Sequence, residues 1–562
     1  MKFDEILEHI GEFGRSQAWI LCLLCIPQIS CAWQIVVVVF LQETPDHRCS
    51  PPALLNDTFL FQNPWHEALV NQTIPINDKD GGYDKCSYYR QTDDGNTTEA
   101  ECDTWVYDTS VFSKTFPMDF QLVCKDSSKV RSIQVIFLSA VLVGSIIGGI
   151  LADYCGRKPV FIVACLLHGS AGVAAAFSPN YTAFATFRFL VGLASPNIFA
   201  SAMVLALELV GPSRRMVAGL APEFAWCTGL VLLTPLAYLI RDWRYLQLAV
   251  SVPSFLYISL WWLIPESPRW LLIRGHTERA EKILRWAAKV NKKTLPANIF
   301  DEKTLEKTEY VSPLEMRKTP RLLLRTLIGM FVFFVIALVW YGLALNPGTL
   351  AGDLFVNYFL MAITEYPAYC ICFVINKLGR RWPHAISMMV AGVAMISTIF
   401  VELYAQKGIL STDVAQTSLF MLGKTGITTA FAIFFMWSGE FSPTPLRNFV
   451  VGMCNVSGRV GAVFAPLIVE AFEKNAQLGN TIPWIIFGVM ALLAGISSLF
   501  LPETRNKQLP ETLMDANDVG VKPTSGSSLP DPAHGISLMT EQPPGDLKDE
   551  IMLQDKTNSK AI

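Results

Sequence analysis

A chain of 562 residues that is 51% apolar and only 17% charged, with a mean hydropathy of +0.36, falls outside the composition of ordinary soluble enzymes. Its formal net charge of −3 says nothing about nucleic acid, and no basic patch interleaved with exposed aromatics suggests such a partner, so that class is set aside. The partner that this composition implies is the lipid bilayer.

The first stretch, MKFDEILEHIGEFGRSQ, is amphipathic and acidic, and no small-residue cleavage site follows it. The apolar run behind it is therefore read as a retained first helix and not a signal peptide, with residues 1–16 as a cytoplasmic N-terminus. About 20 apolar residues are needed to cross a bilayer. By that measure twelve spans are predicted, near 17–41, 131–152, 158–178, 183–210, 216–240, 245–265, 324–346, 355–376, 384–404, 415–438, 449–472 and 482–501. The expected fold is all-α and membrane-embedded, with two halves at 17–265 and 324–501.

Segment 43–129 separates the first two spans. It is acidic, carries the glycosylation sequons of Asn56, Asn71 and Asn96, and contains Cys49, Cys86, Cys102 and Cys124. Such a segment is expected outside the cell with two disulfides, in one of three pairings. The other nine cysteines read as small apolar packing residues, and no metal site is expected.

Basic residues fall on the opposite side: Arg157 and Lys158, Arg214 and Arg215, the run from Arg269 to Arg325, Lys377 with Arg380 and Arg381, and Arg447. That side is expected to be cytoplasmic and to hold both termini. A connector at 266–323 includes TERAEKILRWAAKVNKK, which has helical periodicity with Ile283, Leu284 and Ala287 on one face. The tail, 502–562, turns rich in Pro, Ser, Gly and Asp and is expected to be disordered.

The two halves repeat each other. GGILADYCGRKPV after the second span matches ICFVINKLGRRWP after the eighth, so Asp153, Gly156 and Arg157 answer Asn376, Gly379 and Arg380. Glu208 with Arg214 and Arg215 echoes Glu440 with Arg447, and IPESPRW, with Glu266 and Arg269, echoes LPETRNK, with Glu503. These charges, with Arg381, are expected to form a gate of charge-assisted bonds on the cytoplasmic side. The plainer alternative is that they cap helices and set topology.

Charges inside spans are costly and functional by default. Those singled out are Glu223, Glu365, Lys424 and Arg459. Tyr358, Glu365 and Tyr369 share a helical face at i, i+7 and i+11, and Glu223 has Trp226 three residues on. With Phe333, Trp340 and Tyr341 they could line a site whose ring faces and carboxylates attract an ammonium group. Arg459 shares a face with Asn455, and together they could present donors to a carboxylate. The alternative is that Arg459 pairs internally with Glu365 or Glu223.

PESPRWLL, TEYPAY and the closing LPET, with the GxxxDxxGRK mark and the large glycosylated loop, resemble the organic cation, carnitine and organic anion transporters of the major facilitator superfamily. The resemblance covers nearly the whole chain. It implies alternating-access transport with substrate held between the halves, and no enzyme activity. It also implies that Arg459 and Lys424 follow carnitine and anion carriers, that Tyr369 favours the carnitine branch, and that Glu223 stands where many cation carriers have a neutral amide. The function expected is plasma-membrane transport of organic cations or carnitine-like zwitterions. An organic anion carrier and a non-transporting sensor remain as alternatives. No cofactor is expected, Na+ or H+ being the candidate coupling ions.

Overall fold

The computed structural model describes residues 3–51, 57–76, 82–91, 97–296, 299–300, 312–347, 352–404, 410–473, 482–505 and 510. The expected sites at Asn56 and Asn96, connector residues 301–311 and the tail beyond 510 lie outside the described residues.

Among the described residues, eleven helices are long and apolar enough to span a membrane. They are α1 (Arg15–Leu41), α2 (Cys124–Cys155), α3 (Arg157–Ala176), α4 (Tyr181–Leu209), α5 (Pro212–Leu239), α6 (Trp243–Leu263), α7 (Pro320–Ala344), α8 (Leu354–Ile375), α9 (Arg381–Val401), α10 (Val414–Glu440) and α11 (Arg447–Phe472). The twelfth expected span appears as α12 (Ile482–Ser498), apolar but shorter. Only a helix satisfies every backbone group internally in lipid, so each apolar run takes that form. Two runs are interrupted where proline removes a donor. In α6 the α-helix stops at Ser251, and a 3-10 stretch, Val252–Ser259, carries the chain past Pro253. In α8 the helix ends at Ile363 and restarts at Glu365, two residues before Pro367.

The repeat read from the sequence is a repeat of packing. In the first half α1 lies along α5 and α3 along α4; in the second, α7 lies along α11 and α9 along α10. Glycine permits the closest approaches. A Cβ at Gly229 of α5 would sit 2.8 Å from the Ile29 carbonyl oxygen, and one at Gly461 of α11 would sit 2.1 Å from that of Phe334.

The loop side carries a small disulfide-bonded domain. Strand His47–Cys49 pairs antiparallel with Trp105–Tyr107, and Ser87–Gln91 with Thr97–Glu101. Of the three pairings left open by the sequence, the structure has Cys49–Cys102 and Cys86–Cys124, with Cα separations of 5.7 and 5.6 Å. Inside the domain Asp57 joins Arg48 at 2.6 Å and His66 at 2.9 Å. The Asn71 amide oxygen accepts from the Tyr83 hydroxyl. The domain docks on the α5–α6 turn, where the Lys114 carbonyl accepts from Trp243 N at 3.2 Å.

On the opposite side, leader helix Phe3–Ile10 buries Ile6, Leu7 and Ile10 against Leu284 and Ala288 of connector helix Thr277–Val290. Asn291 knots the two to α1. Its Oδ1 accepts from Ser16 N at 3.0 Å, and its Nδ2 donates to the Ile10 carbonyl at 3.1 Å.

Candidate functional site

A narrow cavity of about 80 Å³ lies where the halves meet, and it draws on both of them. From α5 it takes Glu223 and Trp226, from α7 Phe333, Trp340 and Tyr341, from α8 Tyr369, and from α11 Asn455 and Arg459. All eight are residues that the sequence pattern points to. Sequence reasoning missed Cys31 of α1, Ser195, Pro196 and Phe199 of α4, and Phe431 of α10. Pro196, lying inside an apolar span, was a readable signal. The others are small or apolar and become cavity residues only once the helix faces are known.

The four charges sort into two systems. Lys424 Nζ and Glu365 Oε1 meet at 3.0 Å, both almost wholly buried, as an ion contact rather than a well-aligned hydrogen bond. Lys424 also lies 3.7 Å from the Trp340 ring centroid, and Cys227 Sγ donates to Glu365 Oε2 at 3.7 Å. This pair sits beside the cavity, in a minor recess with Tyr358, and does not line the main space. The face expected for Tyr358, Glu365 and Tyr369 is thus divided, only Tyr369 reaching the main cavity.

Glu223 and Arg459 form the second system. Glu223 Oε2 accepts from the Tyr369 hydroxyl at 3.0 Å, and Arg459 donates to the Tyr341 hydroxyl at 3.2 Å. Among the described residues neither makes an ion pair, so the internal pairing of Arg459 with Glu365 or Glu223 weighed from the sequence is not found. The expected donor fork also differs, because Asn455 Nδ2 donates to the Val451 carbonyl of its own helix at 2.9 Å. The fork facing the cavity is that of Arg459. Rings flank it: Trp226 and Trp340 lie 6.5 Å apart by centroids, and Trp340 meets Tyr341 edge-on at 4.9 Å.

The charges opposite the loop domain form two similar clamps. At the start of α3, Glu266 accepts from the backbone N–H of Arg157 at 3.1 Å and of Lys158 at 3.2 Å. At the start of α9, Glu503 accepts from Arg380 N at 3.0 Å and Arg381 N at 3.1 Å. A carboxylate suits this position because the first-turn N–H groups lack helical partners and carry the positive end of the dipole. The Arg157 side chain reaches Asp153 at 3.0 Å and Glu208 at 3.5 Å, while Arg380 reaches Glu440 at 2.8 Å. Each of these bonds joins elements of the same half. Arg215 instead pairs with Asp4 of the leader helix at 2.6 Å, and Arg214 and Arg269 are exposed. Arg447 opens α11.

Gly156 and Gly379 make both clamps compact, with φ of +106° and +90°. A Cβ there would lie 2.5 Å from Glu266 Oε2 and 2.7 Å from Glu503 Oε2. Gly156→Ala is expected to cost about 1–3 kcal/mol, since that backbone region is all but closed to other residues. A thermal melt of the purified variant within about a degree of the wild type would contradict this.

A fifth intramembrane charge escaped the sequence reading. Arg188 of α4 is fully buried, donates to the Gln34 carbonyl and Oε1 at 3.1 Å each, and stacks 4.5 Å from the Phe137 ring centroid. It serves the core of the first half and does not line the cavity.

At the loop-side end an aromatic cluster ties the halves together. Phe355 of α8 lies 5.5 Å from Phe40 of α1, 5.5 Å from Tyr238 of α5 and 5.6 Å from Phe112 of the loop domain, and Tyr358 meets Phe40 at 5.0 Å. Phe355→Ala is expected to loosen this closure. Labelling of a cysteine placed at Ile35, in the cavity wall, by an impermeant reagent added on the loop side should then be several-fold faster. An unchanged rate would show that the cluster does not seal the path.

Residues 60–514 match the family model described as sugar (and other) transporter. The chain is 35% identical to the organic cation transporter protein of Drosophila melanogaster, covering 93% of this chain and 96% of that one. It is 34% identical to the Drosophila melanogaster beta-alanine transporter, over 92% and 90% of the two chains, and 32% identical to the organic cation/carnitine transporter 2 of Mus musculus, over 91% and 93%. Among solved structures, the inward-open xylose transporter XylE from E. coli superposes with a TM-score of 0.59 at 16% identity, covering 90% of this chain and all of that one, which shows the shared fold.

Proposed function

We infer, from the premise that this chain belongs to the organic cation and carnitine transporters within the sugar (and other) transporter family, that it carries small zwitterions with an ammonium group at one end and a carboxylate at the other. It is a multi-pass membrane transporter and not an enzyme. One observation carries the zwitterion reading: Lys424 and Glu365 neutralise each other beside the cavity, leaving Arg459 and Glu223 as the opposite charges that line it. Arg459 would take the carboxylate through its fork of N–H donors. Glu223 would take the ammonium, with Trp226 and Trp340 adding about 0.5–2 kcal/mol each through their ring faces. Of the two carboxylates that the sequence offered for the ammonium, this reading keeps Glu223 and sets Glu365 aside.

The beta-alanine transporter among the relatives supports the choice, beta-alanine being a zwitterion with an ammonium group at one end and a carboxylate at the other. A clamp of Lys424 and Arg459 on an organic anion has less support, because Lys424 is already held by Glu365.

The proposed setting is the plasma membrane, with the loop domain outside and both termini in the cytoplasm. Two disulfides and the exposed sequon residue Asn71 support that orientation. Alternating access would expose the cavity to each side in turn. A net-neutral zwitterion gains nothing from the membrane potential, which is worth about 2.3 kcal/mol per charge per 100 mV. Accumulation would therefore require a co-transported Na+ or H+.

The test is uptake of radiolabelled carnitine, beta-alanine, tetraethylammonium and p-aminohippurate into cells expressing the protein, with and without sodium and at two external pH values. Saturable uptake of one or both zwitterions, well above that of p-aminohippurate, is expected. Preferred uptake of p-aminohippurate would overturn the reading in favour of an anion carrier. Binding without flux for all four would indicate a sensor.

A further inference from the structure

A second and larger cavity, about 450 Å³, lies between the bundle and the loop domain and shares no lining residue with the central one. It stands on the same helix faces, further toward the loop domain. On α1 the central cavity touches Cys31 and Ile35, and the outer one touches Val38 and, just past the helix end, Gln42. On α2 the sequence runs from Val141 back to Gln134, seven residues and two turns away, and on α11 from Arg459 to Glu470, eleven residues and three turns away. The outer chamber therefore continues the path that leads to the central cavity.

Its walls are about as polar as apolar, and the polar part is incompletely satisfied. Gln134 Nε2 donates to Gln42 Oε1 at 3.0 Å, which leaves Gln42 Nε2 and Gln134 Oε1 buried in the chamber wall without partners. Both side chains are more than nine-tenths buried. Exchanging oxygen and nitrogen in both amides would still leave one donor and one acceptor unmet. Two carboxylates, Glu43 and Glu470, line the same space and make no ion pair among the described residues. The cation of the chamber, Arg131 of α2, is turned to Asn346 at the end of α7, with NH1 to Oδ1 at 3.4 Å. Buried polar groups are normally satisfied, so one donor and one acceptor left unmet in the wall of an open volume, which two carboxylates also line, point to a site that a ligand completes. A volume of this size suits a small organic molecule.

We propose that this chamber is an entry subsite in which Glu43 and Glu470 hold the ammonium end of the substrate, and the free Gln42 and Gln134 amide groups its polar remainder, before it passes to the central cavity. The inference deepens the zwitterion reading above and rests on it for orientation and substrate class. Burial pushes the Glu43 carboxyl up to about 7. The titratable and charged groups lining the chamber with it are His47 on its own segment, Arg131 on α2 and Glu470 on α11. Glu43 is thus charged above neutral pH and loses its charge below it, so ammonium capture weakens as external pH falls from 8 to 6.

The experiment places a thiol in the chamber wall by Thr44→Cys, at an exposed position, and follows its reaction with an impermeant cationic methanethiosulfonate on intact cells. Tetraethylammonium serves as protectant, and carnitine uptake is recorded in parallel. Tetraethylammonium should slow the reaction, and adding Glu43→Gln should raise the half-protecting concentration about tenfold, the loss expected for one charge-assisted contact. Acidifying from pH 8 to 6 should produce a similar rise with Glu43 present and none with Glu43→Gln. Should that variant fail to reach the surface, Glu470→Gln and Gln134→Leu provide the same readout. Protection that is absent, or that neither Glu43→Gln nor acid alters, overturns the subsite. Protection as described without uptake of any substrate supports the subsite while sinking the transport reading, so the two fail separately.

Discussion

Arg459→Ala is expected to abolish uptake of carnitine or beta-alanine while leaving tetraethylammonium binding in the central cavity nearly intact. The guanidinium lines the cavity, donates one bond to Tyr341 and has no acidic partner among the described residues, so its remaining donors are available to a substrate carboxylate. Truncating one partner of a buried, hydrogen-bonded charge pair costs about 2–5 kcal/mol, or at least about thirtyfold in apparent affinity. A monocation never uses that bond, and removing a positive charge from its cavity can only favour it. Arg459→Lys should recover part of the loss, since a point charge remains where the two-pronged geometry has gone. The measurement is the ratio of zwitterion to monocation affinity, by uptake for the first and by competition for the second. Equal losses for both would mean that Arg459 supports the fold and does not select substrate.

The second large effect concerns stability. Glu365→Gln leaves the Lys424 ammonium buried with only the Trp340 ring and a neutral amide for company. Breaking a buried pair from one side costs about 3–5 kcal/mol because an uncompensated charge remains. The single variant should melt well below the wild type in detergent and reach the surface poorly. Adding Lys424→Met should recover most of the loss, since replacing both ions removes the desolvation penalty along with the attraction. If single and double variants melt alike, the pair is not a closed electrostatic unit. Should the double variant also transport carnitine with near-normal affinity, the pair is confirmed as lying outside the substrate site. Loss of affinity with restored stability would return Glu365 to the site, where the sequence had put it.

Much of this was legible in the chain itself. Twelve apolar runs of bilayer length can only be helices, because lipid offers the backbone no other partner, and repeated motifs about 220–240 residues apart announce two similar halves. Glu223, Trp226, Trp340 and Arg459 were readable because a charge in an apolar run is costly enough to need a purpose, and because helical spacing shows which rings share its face. Spacing along one helix carries no information about which partner a neighbouring helix presents. The pairing of Glu365 with Lys424 instead of Arg459 was therefore decided by how α8, broken next to Glu365, sets that carboxylate against α10. The same limit applied to Cys49–Cys102 and Cys86–Cys124, to the clamps that join elements within each half, and to Arg188, whose acceptors lie about 150 residues away on α1. The sequence determined which charges must enter the membrane, and only the tertiary structure decided which of them cancel and which face the cavity, because cancellation depends on distances of a few ångströms between helices that the chain order does not specify.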